Sequence, residues 1–495
     1  KMLLIGEGSQ TSVPDNTLII SKINDVHVRV DAQPAIKKEL SDFFTFVVPG
    51  HQFMPAFKNK WWDGKVRLFD MRAGKLYSGL VPYLQNFCNE RSYSFEITDE
   101  CFLDDNFSLD EGKEFAKTLK LPFEPRDYQL DSFVHCVRRK RAVILSPTAS
   151  GKSYIIYLIT RWYQEKTLIV VPTTSLVLQM TNDFISYGAN PKWIHNIKAG
   201  ENKQTDRPIV ISTWQSLFKM PRSYFDQYKL VIGDECHLFK AKSLTGIMEN
   251  LVDCSYRFGF TGSLDETEMH KLVLEGLFGP VKQYVTTKEL IDSGSLAKLK
   301  IKCLILKYPK EDCQIVKGLK YQEEVDWIVR NDKRNQFITN LALSQTGNTL
   351  LLYQFVEKHG KVLYDLIYKA AKNGRKVFFV SGATSAESRE TIRSITERES
   401  NAIIVASLGT FSTGINIRNL HTIIFSSPSK SRIRNLQSIG RGLRTSSTKT
   451  EAILIDISDD LRYNKHINYA LKHFSERIKL YNSESFDYKL YNIKL

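Results

Sequence analysis

Two successive series of short apolar runs, with enough chain between most of the runs for a helix, constrain this 495-residue sequence more than any other feature. The first series is AVILS (142–146), TLIVV (167–171), PIVIS (208–212), KLVIG (229–233) and RFGFT (257–261). The second is IKCLIL (301–306), KVFFV (376–380), AIIVA (402–406), HTIIF (421–425) and AILID (452–456). Runs apolar on both faces suit strands buried on both sides of a parallel sheet, and the stretches between them suit crossover helices. The expected class is therefore α/β, with two tandem parallel-sheet lobes. Their join is expected near 281–300, where VKQYVTTKELIDSGSLAKLK has little periodicity.

The flanks differ. Before residue 110 the strand candidates LIISKI, VHVRV and FTFVV are broken by Pro14, Pro34, Pro49, Pro55 and Gly50 without a βαβ rhythm, which predicts a small α+β domain. After the second series, Ile467, Ala470, Leu471, Phe474, Ile478 and Leu480 recur at near-helical spacing and predict an amphipathic C-terminal helix. The expected boundaries are an accessory, nucleic-acid-binding domain at 1–110, a first lobe at 111–285, a second at 286–457 and a helical extension at 458–495.

Charge narrows the partners. Lys and Arg number 69 against 54 Asp and Glu, and the resulting +15 favours nucleic acid over membrane surface. No apolar stretch approaches the length of a membrane span. Seven cysteines without a CxxC pair indicate neither a disulfide framework nor a thiolate zinc site and suit a reducing, cytoplasmic compartment.

The run AVILS leads into Pro147-Thr148-Ala149-Ser150-Gly151-Lys152-Ser153, and the helical pattern YIIYLITRWY follows. A strand, a small-residue turn and a helix N-terminus aim backbone N–H groups and a dipole end at one point, which suits a triphosphate. Ser150 and Gly151 belong to the turn, Lys152 would place its charge on the phosphates, and the Ser153 hydroxyl would ligate Mg²⁺. Ser146 stands where the first Gly of this motif is usual. KLVIG leads into Asp234-Glu235-Cys236-His237. There Asp234 would hold Mg²⁺ through water, Glu235 would polarise the attacking water, and His237 would link the phosphate site to its neighbours.

Upstream, Pro125-Arg126-Asp127-Tyr128-Gln129 offers Gln129 to an adenine edge and Arg126 or Tyr128 to its ring face. Far downstream, Gln437-Ser438-Ile439-Gly440-Arg441-Gly442-Leu443-Arg444 sets two guanidiniums three residues apart, which suits the charge developing on a transferred phosphoryl; the alternatives are a solvated basic face or contact with a DNA backbone.

Taken in order, PRDYQ, PTASGKS, VPTTSLVLQ (171–179), ISTWQS (211–216), DECH, Thr261-Gly262-Ser263, VFFVSG (377–382), VASLGTFSTGINI (405–417) and QSIGRGLR resemble superfamily 2 helicases and translocases. They cover residues 120–445. The finer details, with the block from Phe53 to Phe69, look like the UvsW-type phage recombination and repair helicases. Cys236, Thr261-Gly262-Ser263 and Asn416 depart from commoner relatives.

The resemblance implies RecA-like lobes with ATP between them, Lys152, Ser153, Asp234 and Glu235 on one wall and Arg441 and Arg444 on the other. Gln437 and Gly414 join the second wall. It implies nucleic-acid contacts from Thr173, Thr174, Gln179, Thr213, Trp214 and Gln215 on the first lobe, and from Ser381, Gly382, Thr410, Ser412, Thr413, Arg432 and Arg434 on the second. It further implies ATP and Mg²⁺ as cofactors, 3′→5′ movement, host cytoplasm for a phage-encoded chain, and action on branched, single-stranded and duplex DNA and on RNA–DNA hybrids. Other readings remain: an RNA helicase, a translocase that does not separate strands, or an ATP-switched clamp without turnover. Trp61, Trp62 and Trp214 suit stacking on bases or burial in a core, and Arg138–Arg141 and Lys298/Lys300/Lys302 suit a phosphate backbone or a solvated face.

Overall fold

The computed structural model describes residues 16–48, 50–99, 104–147, 150–197, 203–238, 241–262, 264, 268–372, 374–410, 419–427 and 451–495. The chain forms two compact units, one of residues up to Leu145 with Ser153–Lys282, the other of Ser146–Lys152 with Gln283–Leu495.

The first unit opens with a mixed four-stranded sheet. Strands β1 (Thr17–Lys22), β2 (His27–Asp31), β5 (Lys75–Tyr77) and β6 (Ser94–Ile97) lie in the order β5-β2-β1-β6, and β3 (Thr45–Val47) pairs with β4 (Lys65–Arg67) as a separate antiparallel ribbon. Helices Pro34–Phe43 and Val81–Arg91 carry Ile36, Leu40, Leu84 and Phe87 into a core shared with Leu18, Ile20, Val28 and Val30. This is the expected α+β domain, and it is fused to the lobe that follows. Leu272 of helix Glu268–Leu277 completes its core. Tyr77 Oη donates to Glu249 (2.7 Å), Tyr83 Oη to Glu275 (2.6 Å), and Arg141 to the Asp25 carbonyl (2.9 Å).

The lobe itself is a seven-stranded sheet in the order β13-β7-β12-β11-β8-β10-β9. Its members are β7 (Arg141–Leu145), β8 (Thr167–Val171), β9 (Ile194–Ile197), β10 (Ile209–Thr213), β11 (Leu230–Asp234), β12 (Tyr256–Thr261) and β13 (Val281–Gln283). From β7 to β9 along that order every pairing is parallel, and β8, β10 and β11 are buried throughout, as their two-faced apolar pattern requires. Helices pack on both faces, giving one core around Phe133, Ile155 and Ile169 and another around Leu168, Val231 and Phe278.

The second unit repeats the plan. Strands β14 (Lys298–Lys307), β15 (Thr349–Tyr353), β16 (Val377–Val380), β17 (Ile403–Ser407), β18 (Thr422–Phe425), β19 (Glu451–Asp460) and β20 (Tyr488–Lys494) form a parallel sheet in the order β16-β17-β15-β18-β19-β14-β20. The C-terminal extension departs from its purely helical expectation. Helix Tyr469–Ser483 is followed by β20, which closes the sheet against β14. Arg477 of that helix is buried and paired with Asp456 (2.9 Å), which locks the helix to β19. The join at 281–300 is ordered too, since Thr286 and Glu289 form a capping box for helix Thr287–Asp292.

Among the described residues no helix is long and apolar enough to cross a membrane.

Candidate nucleotide and nucleic-acid site

In an open parallel sheet the carboxyl ends of the strands face one edge, where ligands collect. In the first sheet that edge runs β7, β12, β11, β8, β10, and the sequence motifs fall on it in turn.

β7 ends at Leu145, and helix Lys152–Tyr163 begins seven residues later. Within the turn, Gly151 has φ +81°, a left-handed conformation suited to glycine. Ser150 is buried and donates to the Pro147 carbonyl (2.7 Å), so the 2.6 Å contact between Ser146 Oγ and Ser150 Oγ uses the Ser146 proton. The serine at the usual glycine position thus braces the turn. Lys152 is half-buried at the helix N-terminus, and Ser153 Oγ lies 2.9 Å from Tyr187 Oη. Thr148 and Ala149 lie outside the described residues.

Two strands along, β11 ends at the buried Asp234, whose Oδ1 accepts the Glu235 N–H (3.0 Å). Glu235 has φ +49°, uncommon for a residue with a Cβ. Its Oε2 stands 3.5 Å from the Gly262 N–H and 3.6 Å from His237 Nδ1. His237 Nδ1 also bonds Thr261 Oγ1, at the end of the intervening β12. Glu235, His237 and the Thr261-Gly262 turn therefore form one cluster joining adjacent strand ends. Cys236 is buried, with its sulfur 3.1 Å from where a Cβ on Gly259 would stand. The thiol fills core space.

Gln129 is buried in helix Asp127–Arg139, and its Oε1 accepts the Arg126 N–H (2.9 Å). The Arg126 guanidinium donates to Tyr128 Oη (2.9 Å). Phe123 was not singled out by motif. It is half-exposed and stacks on Tyr154 at 5.1 Å.

Next along the edge, β8 and β10 end beside a groove of about 520 Å³ lined by Pro172, Thr173, Thr174, Lys203, Thr213, Gln215 and Ser216. It gathers Thr173, Thr213 and Gln215 as the sequence suggests, and adds Lys203 and Ser216. Ser216 Oγ lies 3.1 Å from Thr213 Oγ1, three residues earlier. Lys203 comes from an aperiodic connection that carried no signal. Gln179 is exposed on helix Thr174–Ser186, outside the lining. Trp214 is partly buried and packs against the core around Val231, the burial that the sequence left open beside stacking on a base.

On the second sheet, Ser381 follows β16 and Thr410 follows the adjacent β17. Both are buried and engaged locally. The Ser381 N–H donates to Thr384 Oγ1 (3.0 Å), and Ser407 Oγ donates to Thr410 Oγ1 (2.6 Å). Gly414, Arg432, Arg434, Gln437, Arg441 and Arg444 lie outside the described residues, as do Ser412 and Thr413. In the basic run at 138–141, Arg138 donates to the Phe107 carbonyl, and Arg139 and Lys140 pair at the surface with Asp104 (3.2 Å) and Asp105 (3.1 Å).

A glycine-lysine-serine turn and an Asp-Glu strand end on one parallel sheet, a polar groove beside them and a second parallel sheet after them define a nucleoside-triphosphatase motor of the superfamily 2 helicase class. Residues 20–98 match the family model described as DNA helicase UvsW, N-terminal. Residues 121–266 match type III restriction enzyme, res subunit, and residues 332–446 the helicase conserved C-terminal domain. The chain is 35% identical to the ATP-dependent DNA helicase uvsW of Enterobacteria phage T4 over 95% of this chain and 98% of that protein. The crystal structure of T4 UvsW aligns at TM-score 0.52 and 33% identity, over 97% of this chain and 99% of that one. A DNA 3′-5′ translocase XPB2 of Sulfurisphaera tokodaii is 28% identical over 41% of this chain and 45% of its own length. The chain belongs to the UvsW family of DNA helicases.

Proposed function

We propose that this protein is an ATP-dependent DNA helicase that moves 3′→5′ and remodels forks, four-way junctions and displaced-strand structures, RNA–DNA hybrids included, in recombination, repair and replication restart. The observation that carries the reading is the carboxyl edge of the first sheet, where a phosphate turn, an acidic strand end and a hydroxyl-lined groove follow one another.

Ser150, Gly151 and Lys152 cradle the triphosphate, and Gln129 and Arg126 take the adenine. The Ser153 hydroxyl and the Asp234 carboxylate are hard oxygen donors of the kind Mg²⁺ prefers. Mg²⁺ bound there would neutralise charge on the phosphate oxygens. Glu235 accepts a proton from water as its oxygen adds to the γ-phosphorus and the bond to the bridging oxygen breaks, releasing ADP and phosphate. His237, bonded to Thr261 and close to Glu235, holds that carboxylate in register. Gln437, Arg441, Arg444 and Gly414 complete the nucleotide contacts, and loss of the γ-phosphate switches the motor between two states.

Thr173, Thr213 and Gln215, with Lys203, grip the strand backbone, aided by Gln179, Ser381, Thr410, Arg432 and Arg434. Hydroxyls and amides on phosphate and sugar carry no sequence information, so binding is indifferent to sequence and steeply salt-dependent.

The test is ATP turnover with and without forked or single-stranded DNA. DNA should stimulate it, and Lys152→Ala should lower the stimulated rate about a hundredfold or more. A chain without DNA-stimulated turnover, or a Lys152→Ala variant that retains it, refutes the reading.

A further inference from the structure

Ser153 is the second residue of helix Lys152–Tyr163, and its hydroxyl meets a side chain that lies outside every motif of the sequence. That side chain is Tyr187. It caps the carboxyl end of helix Thr174–Ser186, where Gly188, at φ +103°, turns the chain into the left-handed region. The Gly188 N–H donates to the Ile185 carbonyl (3.0 Å) and the Ala189 N–H to the Phe184 carbonyl (2.9 Å), a pair of bonds that closes the helix and fixes the backbone of Tyr187. Rings fix its side chain. Tyr187 stands edge-on to Tyr154 (5.1 Å) and Phe123 (5.9 Å) and tilted against Tyr157 (5.6 Å), while the Tyr154 hydroxyl donates to the Phe123 carbonyl (2.7 Å). Held in this frame and buried, Tyr187 brings its Oη to 2.9 Å from Ser153 Oγ.

The contact bears on the metal through the direction of one proton. A hydroxyl has one proton and two lone pairs. Were the tyrosine to donate, it would occupy a Ser153 lone pair; when Ser153 donates, both lone pairs stay free and its proton has a fixed place to point. Coordination favours the second arrangement, because a hydroxyl bound to a dication is a stronger donor. Octahedral geometry at Mg²⁺ tolerates little departure, and groups that orient a ligand raise the affinity of the site.

We propose that Tyr187 is a positioning residue for the metal site: its Oη accepts the Ser153 hydroxyl proton and so holds the Oγ lone pairs toward Mg²⁺ at the phosphate turn. The role rests on the helicase reading above, in which Ser153 is a metal ligand. It gives a task to a tyrosine 34 residues further along the chain, on a separate helix.

The full-length chain tests this by equilibrium binding of a fluorescent, non-hydrolysable ATP analogue in excess Mg²⁺ and in EDTA, read as the ratio of the two Kd values, with thermal midpoints as the fold control. Wild type should bind more tightly in Mg²⁺. Tyr187→Phe keeps the ring and loses only the hydroxyl, so it should cut that ratio about tenfold and leave affinity in EDTA within about twofold. In a Ser153→Ala background the same change should have no further effect, since the bond is already gone. Tyr157→Phe removes a hydroxyl bonded to Arg161 (3.0 Å) from the same ring cluster and should leave the ratio as it is. An unchanged ratio in Tyr187→Phe overturns the role, and so does a larger one, which would make the tyrosine a competitor of the metal. Equal losses in Tyr187→Phe and Tyr157→Phe assign the effect to packing and overturn it as well. A wild type that binds the analogue equally in Mg²⁺ and in EDTA overturns Ser153 as a ligand and the role of Tyr187 with it. Failure of the wild type to bind the analogue in either condition overturns the nucleotide site of the helicase reading instead.

Discussion

Glu235 departs most from ordinary backbone geometry along the site edge. Its left-handed φ of +49° costs free energy that a solvated acidic loop would have no reason to retain. The turn aims the carboxylate toward Gly262 and His237, away from the axis of β11. Glu235→Gln keeps the shape and an acceptor for Gly262 but loses the base. It should therefore lower kcat about a hundredfold or more while nucleotide and DNA affinities stay within a few-fold, measured by single-turnover hydrolysis beside equilibrium binding. The placement of Asp234 and Glu235 at the end of a strand, and of Lys152 at the start of the helix after one, was legible in the sequence because strand ends fix position. For Trp214 the sequence left stacking and burial both open. Its neighbours Thr213 and Gln215 line the groove while its partly buried ring packs against the core, and only the direction of a side chain separates the two.

At the scale of elements, most strands buried on both faces announced themselves, as did the apolar edge strand β16, but the polar edge strands did not. β9, IHNI, is half polar, and β20, YKLYNIK, is mostly solvent-facing, so neither shows the continuous apolar run of a central strand. β15, TLLLY, is as apolar as any central strand, but a five-residue apolar run does not by itself tell a strand from a buried helical turn. The seam between the N-terminal sheet and the first lobe was equally silent. There Gly79 lies so close to helix Glu268–Leu277 that a Cβ would stand 1.9 Å from the Glu275 carbonyl oxygen. Gly276 would likewise meet Tyr77 at 2.9 Å. The obstacle at Gly79 is backbone, so Gly79→Ala should force the seam apart and cost about 1–3 kcal/mol. Thermal denaturation should show a lower midpoint and limited proteolysis an earlier cut between the two parts, and a midpoint equal to wild type would contradict the seam.

Across the whole molecule, stability should depend on pH through histidines held neutral inside the fold. Burial, helped by Lys75 and Arg257, lowers His27 to about 4, and burial with Arg139, Lys282 and Arg138 lowers His135 to about 4. Burial and Arg334 push His359 well below 6.5. The unfolded chain binds these protons below about 6.5 and the native chain does not. Their contribution is therefore present above 6.5 and is lost as pH falls toward 4. The thermal midpoint should fall steadily from about neutrality to about pH 5, and a flat profile would refute this. By itself the sequence determined two parallel sheets, a phosphate turn and an acidic strand end, because buried strands and backbone turns are specified by residues near one another in the chain. Tertiary structure alone decided that the N-terminal domain is fused to the first lobe, that Lys203 and Ser216 share a groove with Thr173, and that Trp61 faces water while Trp214 packs against the core. Those outcomes depend on which distant surfaces meet, and no local pattern of residues encodes that.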